Sequence, residues 1–463
     1  MFARPPLYFY KEEMTAQPII MGASFWTATA IFIIAYALII TENIHKTVVA
    51  LCGASLVIAL GILSQGEAFY SVDLGVDWNV IFLLLSMMII VDLMKPTGVF
   101  EYVAIKSAKL GKGSPVRILA ILALVTAAAS AFLDNVTTVL LIAPVTLHIA
   151  DVLDIDPIPF LISCAIASNI GGTATLIGDP PNIMIGSRAD MDFMAFIYNL
   201  APVIIIILAA YLLMAKIMWG KGLRTRDDLK ARLMEMDERD AIKDRPLLIK
   251  SLVVLGAVLA GFLLQGRLGL QPATIALSGA ALMLLLTRKD EPDGSLLAVE
   301  WSALFFFIGL FIIIGGVVKV GLIQWLSVQV LNLTHGNMLG TSMLVMWFSA
   351  FASAFIDNIP FVATMNPLII DMAKQVHPGL SGPALLHHAD MLPVWWSLAL
   401  GACLGGNGTA IGASANVIVV GMSEKMGRKI SFGRYMLYGM PVMVTTVAIS
   451  ALYVWLRYYV LKI

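Results

Sequence analysis

Ser168-Asn169-Ile170-Gly171-Gly172-Thr173-Ala174-Thr175-Leu176-Ile177-Gly178-Asp179-Pro180-Pro181-Asn182 is the run on which the reading of the whole chain turns. It sits among apolar residues, yet it carries glycines, hydroxyls, two amides, a carboxylate and a Pro-Pro pair. A continuous helix is excluded, because consecutive prolines remove backbone donors and glycines permit sharp turns. In lipid, freed peptide groups cost several kcal/mol each, so irregular backbone survives there only where protein or water lines it. The run therefore reads as an unwound membrane helix whose open N–H and C=O groups face a cavity.

The surroundings support a membrane setting. Of 463 residues, 59% are hydrophobic and 13% charged, where a soluble domain has about 25% charged. Apolar runs at 22–40, 48–63, 79–91, 200–218, 247–264, 272–286, 303–318 and 435–456 approach the roughly 20 residues that a spanning helix needs. Zero net charge gives nucleic acid no reason to bind. Cys52, Cys164 and Cys403 all lie in apolar segments and read as packing residues rather than a disulfide framework. Residues 1–18 form a polar N-terminal tail without the apolar core of a signal peptide.

The decisive run also has a partner. At an offset of 223 residues, Asp77-Trp78 meets Glu300-Trp301, Gly98 meets Gly321 and Pro144 meets Pro367. At the same offset Ser130-Ala131-Phe132-Leu133-Asp134-Asn135 meets Ser353-Ala354-Phe355-Ile356-Asp357-Asn358. After an 11-residue insertion the offset is 234, and Gly171 to Gly178 meets Gly405 to Gly412, with Asn182 on Asn416. One register held through Trp, Gly, Asp, Asn and Pro marks an internal repeat. Lys and Arg favour cytoplasmic loops. Copy one carries Lys106, Lys109, Lys112 and Arg117 where residues 328–342 of copy two have none, whereas Lys425, Arg428, Lys429 and Arg434 of copy two answer Arg188 beside Asp190 and Asp192. Equivalent loops thus face opposite sides, and the copies read as inverted: 19–220 as the first transmembrane repeat and 247–463 as the second. Between them, 221–246 is a cytoplasmic charged linker, with eight Lys/Arg and seven Asp/Glu over residues 221–245, expected to be a solvated amphipathic helix.

Residues 117–150 and 340–374 are apolar for more than 30 residues, each with an Asp-Asn pair near the middle. A straight span would strand Asp134 or Asp357 at the bilayer centre. A re-entrant helical hairpin avoids that cost by placing the pair at its tip, where Asp ties down the backbone of its own turn. The fold class is therefore all-α polytopic membrane protein, two inverted repeats, each with a re-entrant hairpin and an unwound helix. Asp134, Asp357 and Asp179 are the candidate ion-coupling carboxylates. Asp179 leads, because Ala413 replaces it in copy two, and secondary transporters place coupling ions at such discontinuities. No Walker motif, zinc spacing or nucleophile elbow occurs, so no catalytic residue, cofactor or metal is expected and an ion gradient should supply the energy.

These stretches, Phe132 to Thr138, Gly171 to Asn182, Ser353 to Asn358 and Gly405 to Asn416, resemble the arsenite permease (ArsB) and NhaD branch of the ion transporter superfamily, with melanosomal P protein and citrate-type permeases as more distant relatives. The resemblance covers nearly the whole chain. It implies that the hairpin tips form the substrate site, with Asn135, Thr137, Thr138 and Asn358 at the tips. Asn169, Gly172, Thr173, Thr175, Asn182, Gly406, Asn407, Thr409 and Asn416 would lie beside them. It further implies an elevator-like motion in the cell inner membrane, a homodimer, and room for a separate ATPase subunit. Dicarboxylate carriers have Ser-Asn-Thr at both tips, but this chain has Asp-Asn-Val-Thr and Asp-Asn-Ile-Pro. That departure weighs against a di- or tricarboxylate and favours a small neutral oxyacid, so the expected function is proton-coupled efflux of arsenite or antimonite. A Na+/H+ antiporter and an anion permease of the same superfamily are the alternatives.

Overall fold

The computed structural model describes residues 21–41, 43–287 and 293–462. The expected polar tail lies outside them. Every regular element among the described residues is helical. Eight helices among the described residues are long and apolar enough to cross a membrane: Ala23–Thr41, Trp78–Thr97, Asn135–Val152, Ala201–Trp219, Arg245–Leu263, Trp301–Lys319, Met338–Phe355 and Phe432–Val460. A 19-residue helix rises about 28 Å, close to the hydrocarbon thickness of a bilayer. Ile205, Ile206, Leu213 and Ile217 on one of them, and Ile249 and Val253 on another, stand exposed, as lipid-facing residues would.

The repeat seen in the residues recurs in local structure. Gly98 and Gly321 both precede a 12-residue helix (Val99–Leu110 and Leu322–Leu333) with φ of 77° and 87°. Only glycine adopts that left-handed conformation without strain. Each copy then forms a helical hairpin, Pro115–Ser130 with Asn135–Val152 and Met338–Phe355 with Asn358–Val376. A broken helix follows each hairpin. Ile158–Gly172 and Pro180–Arg188 flank the first break, and Leu392–Gly405 and Ser414–Lys425 flank the second.

Packing ties the copies together by exchange. Lys46–Ala59 of the first half lies along Trp301–Lys319 of the second, and Pro272–Thr287 of the second lies along Trp78–Met94 of the first. Within each half, the outgoing hairpin arm packs closely on the broken helix. The approach needs glycine: a Cβ on Gly171 would sit 2.0 Å from the Ala127 carbonyl oxygen, and one on Gly405 would sit 2.5 Å from that of Ala350. The returning arms pack on their own broken helix and also cross over. Asn135–Val152 touches Ser414–Lys425, and Asn358–Val376 touches Pro180–Arg188. Both tips and both breaks therefore converge on one place.

The linker forms the expected helix but is not wholly solvated. Its helix Asp227–Glu235 is largely exposed, but Leu233 is fully buried. Beyond it the chain straps onto Val99–Leu110: Lys109 Nζ donates to the Met236 carbonyl at 3.0 Å and pairs with Glu238 at 2.7 Å, and Lys243 N–H donates to the Thr97 carbonyl at 3.1 Å. The Ala241 carbonyl lies so close to Gly98 that a Cβ there would come within 1.7 Å.

Candidate functional site

Construction of the site starts with the caps. Asp134 accepts the Thr137 N–H at 2.8 Å and the Thr137 hydroxyl, closing the first tip. Asp357 accepts the Ile359 N–H at 3.2 Å and carries Lys46 Nζ at 2.7 Å. The two carboxylates matched by the repeat thus cap helices, a role worth about 1 kcal/mol apiece. Thr137 is consumed in the same turn.

Capping fixes the residue that follows. Asn135 and Asn358, both 3% exposed, send their Nδ2 groups to the same acceptor, Asp179 Oδ1, at 3.2 and 3.4 Å. Asp179 stands at the break in extended backbone, heads the helix Pro180–Arg188 and makes no cap bond to it. It is 1% exposed, and its Oδ2 has no hydrogen-bond partner. Asn169 joins the two halves: its Oδ1 accepts from Asn135 at 3.3 Å, and its Nδ2 donates to Asn407 at 3.0 Å and Asn416 at 3.1 Å. Asn407 Nδ2 and Thr138 Oγ1, also buried, are left without partners. No described hydrogen bond or ion pair of this cluster comes from Lys or Arg. The result is a buried cage of amides around one carboxylate, in which Asp179 Oδ2 and Asn407 Nδ2 are left unpartnered.

Other candidates lie at the breaks but spend their polar atoms on backbone. Asn182 Nδ2 donates to the carbonyls of Gly172, Thr173 and Thr175 at 3.5, 3.1 and 2.9 Å. Asn416 Nδ2 donates to Gly406 and Thr409 at 2.7 and 2.8 Å. The hydroxyls of Thr175 and Thr409 donate to the Ala131 and Ala354 carbonyls, each at the end of the first arm of its own hairpin. The Thr173 hydroxyl returns to the Asn169 carbonyl at 2.7 Å. Gly172 and Gly406 admit the carbonyls of Gly178 and Gly412, which a Cβ would meet at 2.5 and 2.9 Å. The same clamp is built twice: the bonds to Gly172 and Thr175 fall on those to Gly406 and Thr409, and the Thr175–Ala131 bond falls on Thr409–Ala354. These residues hold the unwound segments open; Asn416 alone also reaches the cage through its Oδ1.

Two participants, Lys46 and Tyr36, escape the sequence reading, and Cys403 reads there only as a packing residue. Cys403 occupies the position equivalent to Asn169 and donates to Asn182 Oδ1 at 3.5 Å. The 234 offset was the available signal. Cys164 contacts Thr126 instead, so the two buried thiols serve separate partners. Lys46 and Tyr36 (whose hydroxyl donates to the Pro360 carbonyl at 2.7 Å) brace the second hairpin from distant helices, with no local signature.

Comparison with known proteins accords with this architecture. The profile of the citrate transporter family, CitMHS, matches residues 36–401. It names the citrate-type permeases and not the arsenite permease branch. An uncharacterised transporter of Mycobacterium tuberculosis is 46% identical, covering 94% of this chain and 99% of its own length. A 46 kDa membrane protein of Mycobacterium leprae is 44% identical over the same shares. The mouse P protein is 32% identical over 92% of this chain and 59% of that protein. Among solved structures, the YdaH transporter of Alcanivorax borkumensis superposes with a TM-score of 0.51 at 14% identity, covering 94% of this chain and 98% of that one. The chain belongs to the CitMHS citrate transporter family and is a multi-pass membrane transporter.

Proposed function

We propose that the chain is a secondary active transporter in which Asp179 carries the coupling proton and the amide cage takes the solute. The observation behind this is the single carboxylate, buried, approached by neutral donors from both hairpin tips and left with one oxygen unpartnered. A buried carboxylate without a cation costs several kcal/mol when ionised, so it gains by taking a proton or a small cation. We read the halves as inverted in the inner membrane, which would let one cage serve two faces in turn.

Amides and hydroxyls without a fixed positive charge suit a small uncharged oxyacid, which keeps proton-coupled efflux of arsenite or antimonite as the leading solute assignment. The matched family's description favours an anion carrier as the second reading. Against it stands a cage whose contacts among the described residues include no Lys or Arg, since carboxylate ligands are ordinarily held by bidentate Arg or by Lys. Sodium/proton exchange would use the same carboxylate with Na+ in the proton's place.

Flux into everted vesicles separates these readings. Arsenite uptake that rises with an acid interior and collapses with an uncoupler is the expected result, with citrate uptake at background. Citrate uptake without arsenite uptake would overturn the solute assignment. Flux indifferent to any ion gradient would overturn the carrier assignment itself.

A further inference from the structure

Away from the cage, the loop between the second hairpin and the second broken helix gathers three ligating side chains. His377 is the C-cap residue of Asn358–Val376, while His388 and Asp390 lie just before Leu392–Gly405. His377 Nε2 lies 3.3 Å from Asp390 Oδ2, and His388 Nδ1 lies 3.4 Å from the same oxygen. All three ligand atoms fall within 4.8 Å of one another, and the imidazole centroids are 3.7 Å apart.

Those distances fit poorly as ion pairs. A charge-assisted N–H···O bond is about 2.7–2.9 Å, and His377 Nε2, though buried at the atom, makes no hydrogen bond. The two N···O distances fit well as edges of a coordination tetrahedron: ligands about 2.0–2.1 Å from a zinc ion lie roughly 3.3 Å from each other. The remaining contact at His388 Nδ1 is a long 3.4 Å approach of the Asp390 N–H, which presents that nitrogen as an acceptor. A metal would take over the same lone pair. The neighbouring His387 is not part of the set, because its Nε2 faces the Ala189 carbonyl at 2.8 Å.

We propose that His377, His388 and Asp390 form a site for a late first-row divalent cation, Zn2+ foremost, with the fourth position open to water. Two imidazoles and one carboxylate suit such ions. The bound ion would clip the far end of the hairpin helix that carries Asn358 to the start of the helix leading to Asn407. It would thereby join two elements of the cage from outside it. The site is independent of which solute is carried.

Tag-free, chelator-treated protein in detergent is titrated with Zn2+ by calorimetry and, separately, with Co2+ by visible absorption. One Zn2+ per chain and the intense absorption of four-coordinate Co2+ are expected. Affinity should fall at least about tenfold in His377→Ala, in His388→Ala and in Asp390→Asn, and stay unchanged in His387→Ala. Sub-stoichiometric Zn2+, a Co2+ spectrum of six-coordinate type in the unaltered protein, or equal binding by a His377→Ala/His388→Ala variant of normal elution volume would each overturn the site.

Discussion

Replacing Asn182 by Ala asks whether the asparagines at the breaks are clamps or ligands. The side chain supplies two good hydrogen bonds, at 3.1 and 2.9 Å, and one at the 3.5 Å limit, all to carbonyls of an unwound segment without water access. A buried acceptor left unsatisfied costs about 1–3 kcal/mol, so losing two good bonds should destabilise the fold by roughly 2–4 kcal/mol, less whatever the loop regains by relaxing. Asn416→Ala removes bonds of 2.7 and 2.8 Å and should cost a similar amount. Asn182→Asp has nearly the same shape but cannot donate when ionised, so it should fare no better than Ala. Unfolding in mixed micelles, followed by tryptophan fluorescence, is the readout, alongside transport by whatever protein remains folded. The clamp account expects stability and transport to fall together in both variants. Unchanged stability with abolished transport would refute it and make these asparagines direct ligands.

Further outcomes follow from the same geometry. Gly171→Ala should disrupt packing more than Gly405→Ala, since its Cβ meets backbone oxygen at 2.0 rather than 2.5 Å; overpacking of this kind costs about 1–3 kcal/mol or more, measured as loss of folded protein. Lys46→Met leaves Asp357 without its 2.7 Å cation and should cost about 1–3 kcal/mol, between surface and buried pairs; adding Asp357→Asn should recover part of it, and a strictly additive double variant would argue against the pair. Glu67, outside the spans, has its carboxyl held down from 4.5 to about 2, chiefly by Lys319 and also by the Ser64 N–H. Its contribution is therefore complete above pH 4.5 and is lost as pH falls toward 2. Screening of this partly exposed pair keeps it below about 1 kcal/mol, and Glu67→Gln should remove that part of the acid sensitivity.

Much of this was legible because it is local. Pro-Pro and glycines announce a broken helix wherever they fall, and an Asp before an Asn announces a cap. The repeat converted one such reading into two: the Asn182 and Asn416 clamps occupy equivalent positions and make equivalent bonds. What escaped depends on contacts across hundreds of residues. That Asn135 and Asn358 share one carboxylate oxygen, or that Lys46 reaches Asp357, is set by helices packing across the halves, which no periodicity encodes. The linker misled for a related reason. Its charges suit water, but Leu233 is buried, Lys109 holds Met236 and Glu238, and one backbone bond ties Lys243 to Thr97. Likewise, Asn169 and Cys403 are repeat mates of unlike chemistry, so Asn169 stands out as a site residue while its mate reads only as packing.

Asp179→Asn tests the central claim most directly. Reconstituted protein is given a pH gradient, and accumulation of the solute that the flux panel identifies is followed together with internal pH. The account predicts that the variant still exchanges solute at equal concentrations on both sides, yet neither concentrates it nor moves protons with it. Accumulation equal to that of the unaltered protein, with the same proton flux, would contradict it.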